Sequence, residues 1–188
     1  TRDDLLSLLH GGDKNRLAVM ATRLAIWSIG NFDSKLEELL VKQIVHSDFL
    51  VEDSFKLWTG LGVNCIIINP PYVTHKVGNV NFKNFECKSC GNLWTLFVER
   101  SLRIISNSSN PQMVAIVPTT IATSERCKPV RKLILENCQS LSMMHIDVVP
   151  GYLFKQGKTE KSISSVNNTR AISPRVTIFS VSGNGKLV

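Results

Sequence analysis

The stretch Asn64-Cys65-Ile66-Ile67-Ile68-Asn69-Pro70-Pro71-Tyr72 decides how the rest of the chain is read. It opens on a continuous β-branched run, which suits a strand covered on both faces, as in a parallel sheet. It closes on two prolines, which remove backbone donors and confine the residue before each of them to extended conformations. Asn69 is therefore held extended at the strand edge, and the prolines make a rigid turn. The Asn69 side-chain oxygen and the Pro70 carbonyl are two acceptors beside the aromatic face of Tyr72. Such a set suits a planar amino group. Two acceptors take its two hydrogens and localise the nitrogen lone pair as an electrophile approaches in line. An aromatic ring stacked on the substrate ring contributes about 1–3 kcal/mol per base, and positioning with electrostatic stabilisation supplies most of the rate. A plain Pro-Pro turn is the bland alternative. The isoleucine run before it and two acidic positions upstream weigh against it.

Outward from this stretch, short apolar runs alternate with amphipathic ones. Leu5 to Leu9 reads as a strand ending at His10-Gly11-Gly12-Asp13, and Asn15 to Ile29 as a helix with Leu17, Met20, Ala21 and Leu24 at helical spacing. A short helix is expected over Leu36 to Leu40, and a strand over Gln43 to His46 running into Ser47-Asp48-Phe49. After the proline turn, Thr74 to Cys90 reads as a polar loop and Leu93 to Ile105 as a helix. Met113 to Val117 reads as a strand, and Arg126 to Asn137 as a helix with Pro129 in its first turn. Met143 to Val149 and Arg175 to Val181 are further strands, separated by a polar, basic loop from Tyr152 to Pro174. Alternating strand and helix predicts an α/β fold with a mostly parallel sheet and flanking helices. In such sheets ligands bind outside the carboxyl ends of the strands. Asp13, Asp48 and the Asn69–Tyr72 turn follow three successive predicted strands, so all three are candidates for one crevice.

The 188 residues fit one domain or a large piece of one, and 43% apolar with 20% charged residues excludes a disordered tail or a coiled coil. No apolar run approaches a membrane span, and no secretory leader is recognisable. A net charge of +7 favours a polyanionic partner without requiring one. The five cysteines are too few for a disulfide scaffold, so a reduced, cytoplasmic setting is expected. Cys87-Lys-Ser-Cys90 has the spacing of a zinc half-site or a redox pair. Cys127 and Cys138 make a poor second pair of metal ligands, so two unliganded thiols are favoured and no metal is expected.

The motifs together resemble S-adenosylmethionine-dependent N6-adenine DNA methyltransferases of the gamma class, found in restriction–modification systems. Gly11-Gly12-Asp13-Lys14-Asn15 with Ala21-Thr22-Arg23-Leu24 resembles the family's second motif, and Ser47-Asp48-Phe49-Leu50 its third. Asn69-Pro70-Pro71-Tyr72 matches the catalytic motif in full, and Tyr152-Leu153-Phe154-Lys155 resembles a later motif bearing an aromatic residue. The resemblance implies a class I, Rossmann-like methyltransferase fold with S-adenosylmethionine as cofactor. Asp13 would take the cofactor ribose hydroxyls, Asp48 its adenine amino group, and Phe49 would pack beside that adenine. Asn69 and Pro70 would hold the target amino group, with Pro71 completing the turn. Tyr72 and Phe154 (Tyr152 being the rival) would sandwich an adenine flipped from duplex DNA. Lys155, Lys158 and Lys161 would meet the DNA backbone.

One departure stands out. The family's glycine-rich loop of the Asp-Pro-x-Cys-Gly-x-Gly type and its strand are not found ahead of Asp13, and no target-recognition domain is recognised after the last strand. Residues 1–188 are therefore expected to be a partial catalytic domain, with a specificity domain or subunit and a nuclease as candidate partners. Two other readings remain. Related Asn-Pro-Pro-Tyr enzymes methylate a protein glutamine or an RNA base amino group. A DNA-binding or assembly subunit would keep the fold without turnover.

Overall fold

The computed structural model describes residue 6 and residues 8–75, 82–146 and 176–182. They divide into two compact units, Thr1–Gly60 and Leu61–Val188.

The first unit contains β1 (Gly11–Asp13), α1 (Arg16–Ile29), α2 (Ser34–Gln43), β2 (Ile44–His46) and α3 (Glu52–Gly60). Both α1 and α2 begin where an Asx side chain satisfies an orphan amide of the first turn. Asn15 accepts from the Leu17 N–H at 2.9 Å, and Asp33 from the Leu36 N–H at 2.9 Å. β1 and β2 pair in parallel, Gly11 opposite Ile44 and Asp13 opposite His46. Val19, Leu36, Leu40 and Ile44 form the core, with Ile26, Trp27 and Leu39 packed around it. The Arg23 guanidinium donates to the Ile44 carbonyl at 2.6 Å and the Val41 carbonyl at 3.0 Å, fastening α1 to the α2–β2 junction.

Two expectations change here. The first strand is Gly11–Asp13, with Asp13 its last residue; Leu8 lies in a turn and is 75% exposed. An apolar run does not by itself make a strand: the ladder hydrogen bonds go to the segment whose register meets Ile44–His46. The helical period of α1 also misleads, because Leu17, Met20 and Leu24 are exposed while Val19 is buried.

The second unit contains β3 (Cys65–Ile68), a 3-10 turn (Glu86–Cys90), α4 (Leu93–Ile105), β4 (Gln112–Pro118) and α5 (Thr120–Thr123). A second 3-10 turn (Glu125–Cys127), α6 (Lys128–Asn137), β5 (Ser140–Ile146) and β6 (Val176–Ser182) complete it. Its sheet has the order β3-β4-β6-β5. β3 and β4 are parallel, Cys65 opposite Gln112, and β6 runs antiparallel to both β4 and β5. Three strands therefore share one direction, and β6 lies inverted between β4 and β5. Within this sheet β3 is at an edge. Ile66 and Ile68 are half-buried but Cys65 is exposed and Ile67 is 78% exposed, so the expectation of a strand covered on both faces is not met.

α4 packs on β3 and β4 and also on the first 3-10 turn and α6. That position explains why Trp94, Leu96, Val98 and Ile105 are buried together with Thr95, Glu99 and Ser101. Met113, Ala115 and Val117 supply the sheet face beneath it. Pro129 sits in the first turn of α6, where its missing N–H costs nothing. No described helix is long and apolar enough to cross a membrane.

Candidate functional site

The chemistry-bearing residues lie at strand ends in both units, and each group is built by its own unit. In the first, Asp13 ends β1 and Asp48 follows β2. The Ser47 N–H donates to the Asp13 carbonyl at 3.0 Å, which extends the parallel pairing one residue past His46. Asp13 Oδ1 accepts from the Asn15 N–H at 2.6 Å, an Asx turn that leads the chain into α1. Asp48 Oδ1 accepts from the Leu50 N–H at 3.1 Å and Oδ2 from the Lys14 ammonium at 2.8 Å. Burial acts against the Asp48 charge, but the Lys14 and Leu50 donors outweigh it and hold the carboxyl below its ordinary value. Lys14 is correspondingly held above its own. The His46 ring also reaches the Lys14 carbonyl, at 2.9 Å. Gly12 matters because a Cβ there would lie 2.9 Å from both the Ser47 Oγ and the Trp58 ring. Backbone and side chains meet closely at this end of the strand pair. Phe49 is half-buried.

In the second unit the Asn69–Tyr72 turn leaves β3. Pro70 is buried, Asn69 and Pro71 are exposed, and Tyr72 is half-buried. The Tyr72 hydroxyl lies 3.3 Å from the Asn69 Oδ1 and 3.1 Å from the Ile116 carbonyl on β4. Burial pushes the phenol above its ordinary value, so it stays a donor. Sequence reasoning anticipated the ring and missed this hydroxyl, whose partner on β4 is remote in sequence. The backbone after Tyr72 is braced as well. Leu93 N–H donates to the Val73 carbonyl at 2.8 Å, His75 N–H to the Gly91 carbonyl at 3.1 Å, and Thr74 bridges Asn92. Gly91 has φ +74°, the left-handed conformation that glycine adopts without a Cβ clash.

Behind that brace lies a second missed feature. Glu99 on α4 is fully buried, and its carboxylate accepts from the Glu86 N–H at 3.0 Å and the Cys87 N–H at 2.8 Å, with Arg103 paired to it. It caps the 3-10 turn that carries Cys87 and Cys90, and both thiols are free and buried. Cys127 and Cys138 flank α6 at its two ends. Among the described residues no group of three or more His, Cys, Asp or Glu side chains is placed to hold a metal ion. Phe154, Lys155, Lys158 and Lys161 lie outside the described residues.

Comparison with known proteins places this architecture. The family model described as Eco57I restriction-modification methylase matches residues 8–150. The chain belongs to that family. A curated relative, modification methylase CviBIII of Paramecium bursaria Chlorella virus NC1A, is 34% identical over 87 residues, covering 46% of this chain and 22% of the relative. Among solved structures, the ATP-dependent Type ISP restriction-modification enzyme LlaBIII bound to DNA shares the fold with a TM-score of 0.59 at 16% identity. That likeness covers 95% of this chain and 14% of the solved one. The chain thus spans about a fifth of the curated relative's length and a seventh of the solved enzyme's.

Proposed function

We propose that this chain carries the catalytic turn and part of the cofactor site of a class I DNA methyltransferase in a restriction–modification system. The reaction is methylation of the N6 amino group of an adenine flipped out of duplex DNA, with S-adenosylmethionine as donor. One observation carries the reading: an exposed Asn69 carboxamide stands at the end of β3, beside a buried Pro70 and a Tyr72 whose hydroxyl is tied to Asn69 and to β4. Family membership supports methylation, and the likeness to LlaBIII, solved bound to DNA, supports a DNA partner.

The first unit fits an adenosine-bearing cofactor. Acidic side chains follow two adjacent parallel strands, and a glycine lies where a Cβ would strike Trp58 and Ser47. Asp13 would take ribose hydroxyls through its oxygens, one of which already orders the turn into α1. Asp48 would accept an adenine amino group, exchanging for it the Lys14 ammonium that now occupies Oδ2. Phe49 would lie against the adenine. The bound cofactor supplies an electrophilic methyl group on a sulfonium.

The protein's own part is positional. The Asn69 oxygen and the Pro70 carbonyl accept the two hydrogens of the target amino group, so its lone pair is directed at the methyl rather than delocalised into the ring. The Tyr72 hydroxyl, 3.1 Å from the Ile116 carbonyl and 3.3 Å from the Asn69 side chain, fastens the turn to β4 beside that carboxamide. The ring of Tyr72, with Phe154 opposite, keeps the base flat. Lys155, Lys158 and Lys161 meet phosphates.

The test uses the intact protein, labelled S-adenosylmethionine and adenine-containing duplex DNA, with digestion to identify the methylated base. N6-methyladenine is expected. Asn69→Ala should lower the rate by about 100- to 1,000-fold, the usual cost of removing one preorganised hydrogen-bonding group, and the melting curve should change little because the side chain is exposed and the Tyr72 hydroxyl keeps its Ile116 partner. Methyl transfer to a release-factor glutamine or to RNA, and not to DNA, overturns the reading. So does the absence of cofactor binding by the intact protein.

A further inference from the structure

The 3-10 turn Glu86–Cys90 holds two thiols that nothing in the proposed methyl transfer uses. In a 3-10 helix residues three apart lie above one another, so this backbone sets Cys87 and Cys90 on one side of the turn. The Cys87 thiol hydrogen-bonds to the Cys90 sulfur. Cα atoms one 3-10 turn apart fall in the separation that a disulfide spans, about 4.4–6.8 Å. The surroundings of the two sulfurs differ. Cys87 is fully buried, whereas Cys90 is 7% exposed and is the outer of the two. Besides the Cys87 thiol, the Val130 N–H in the first turn of α6 faces the Cys90 sulfur, while the Thr95 hydroxyl gives its one hydrogen to the Asn92 carbonyl at 2.8 Å. A helix N-terminus favours an anion. Ser89, between the two cysteines, and Pro129 line an open groove of about 560 Å³ whose charged lining is mixed, with Arg126, Lys128 and Lys132 beside Glu86, Glu125 and Glu136. The groove brings solvent to Ser89, the residue between the two thiols.

We propose that Cys87 and Cys90 form a reversible redox site that reacts with low-molecular-weight disulfides, Cys90 as the attacking thiolate and Cys87 as the resolving thiol. The Cys90 thiolate attacks one sulfur of the small disulfide, forming a mixed disulfide and expelling one thiolate. The Cys87 thiol loses its proton to that thiolate or to solvent and attacks the Cys90 sulfur. The Cys87–Cys90 bond forms and the second small thiolate leaves. Two protein thiols are oxidised and one small disulfide is reduced to two thiols. Direct donation from Cys87 draws the Cys90 thiol down to about 7, against the effect of burial, while Cys87 is pushed up by the same bond, by burial and by Glu99. Closing the ring fixes the turn whose next residues, Gly91 to Leu93, brace Val73 to His75 behind the Asn69–Tyr72 turn.

The experiment incubates the intact native protein with oxidised glutathione, then blocks free thiols, digests, and maps linkages by mass spectrometry. Hydrogen exchange is followed over residues 73–75 and 91–93. A Cys87–Cys90 linkage, loss of two hydrogens from the protein, reversal by dithiothreitol and slower exchange in both segments are expected. Cys87→Ser should trap glutathione on Cys90, and Cys90→Ser should leave Cys87 unmodified. A linkage from Cys90 to Cys127, glutathione accumulating on Cys87, or native protein left unchanged while unfolded protein reacts overturns the proposal. The unsubstituted protein alone decides whether the linkage forms, so a variant that fails to fold does not obscure the result. None of these readouts depends on methyl transfer.

Discussion

Tyr72 shows how one side chain serves two purposes. Its ring stands beside the candidate amino-group site, and its hydroxyl reaches the Ile116 carbonyl at 3.1 Å and the Asn69 oxygen at 3.3 Å. Tyr72→Phe keeps the ring and removes the tether. It should lower stability by about 1 kcal/mol, the net worth of a typical hydrogen bond, read from the midpoint of denaturant unfolding. If the tether orients Asn69, the same variant lowers kcat more than it raises KM for DNA. Asp48 offers a titration. Its carboxyl is held below its ordinary value by Lys14 and Leu50 despite burial. A depressed folded value means that its contribution to stability is present above the unfolded carboxyl pKa and is lost as pH falls through the folded one. Lys14→Ala should move the Asp48 titration upward, toward an ordinary carboxyl, as NMR of the side-chain carbon will report. The 13-residue helix Leu93–Ile105 was fully readable at this scale, because Asn92 caps it and its apolar period is strong.

At the scale of elements, α3 went unread. Of its apolar residues only Trp58 is buried, and its ring lies against Gly12 on β1. A nine-residue segment with one buried anchor shows little periodicity. The same contact makes Gly12 sensitive. Gly12→Ala places a methyl 2.9 Å from the Trp58 ring and from the Ser47 Oγ, so β1 or α3 must shift. Overpacking of this kind costs about 1–3 kcal/mol, which a lowered melting temperature of the intact protein will show. In the second unit Glu99 is the counterpart. Glu99→Gln keeps the size but turns an amide NH2 toward either the Glu86 or the Cys87 N–H, leaving that donor unpaired. An unpaired buried group costs about 1–3 kcal/mol, and amide exchange over the 3-10 turn should accelerate. Periodicity pointed to the wrong face of α1: Leu17, Met20 and Leu24 are regular but exposed, whereas Arg23 and Val19 make the inward contacts. A helix that carries apolar residues on more than one face cannot announce which face its neighbours will cover.

At the scale of the whole molecule, the net charge of +7 and the basic run from Lys155 to Lys161 bear on partners. If the proposed function holds, the affinity of the intact protein for duplex DNA falls as salt rises, each phosphate contact contributing about 0.9 to the logarithmic slope. Replacing Lys155, Lys158 and Lys161 by alanine should flatten that slope in fluorescence anisotropy and leave cofactor binding unaltered. An unchanged slope would remove these residues from the DNA contact. The division into Thr1–Gly60 and Leu61–Val188 was not visible in the sequence, because the connection from Gly60 to Asn64 is short and has no linker composition.

The sequence by itself determined what acts over a few residues. Two successive prolines stiffen the Asn69–Tyr72 turn wherever it lies, Asn15 and Asp33 start helices, and Pro129 opens α6. The spacing of Cys87 and Cys90 was equally plain, though not its meaning. Tertiary structure alone decided which segment became β1, because Gly11–Asp13 is the piece that pairs with Ile44–His46. It also left Ile67 exposed at a sheet edge, inverted β6 between β4 and β5, brought the Tyr72 hydroxyl to Ile116, and placed the Val130 N–H on the Cys90 sulfur. Proline geometry and side-chain caps are local forces, and a single window of sequence contains them. Strand pairing and burial are settled between segments far apart in the chain, where packing and hydrogen-bond satisfaction select one partner among several that local pattern permits.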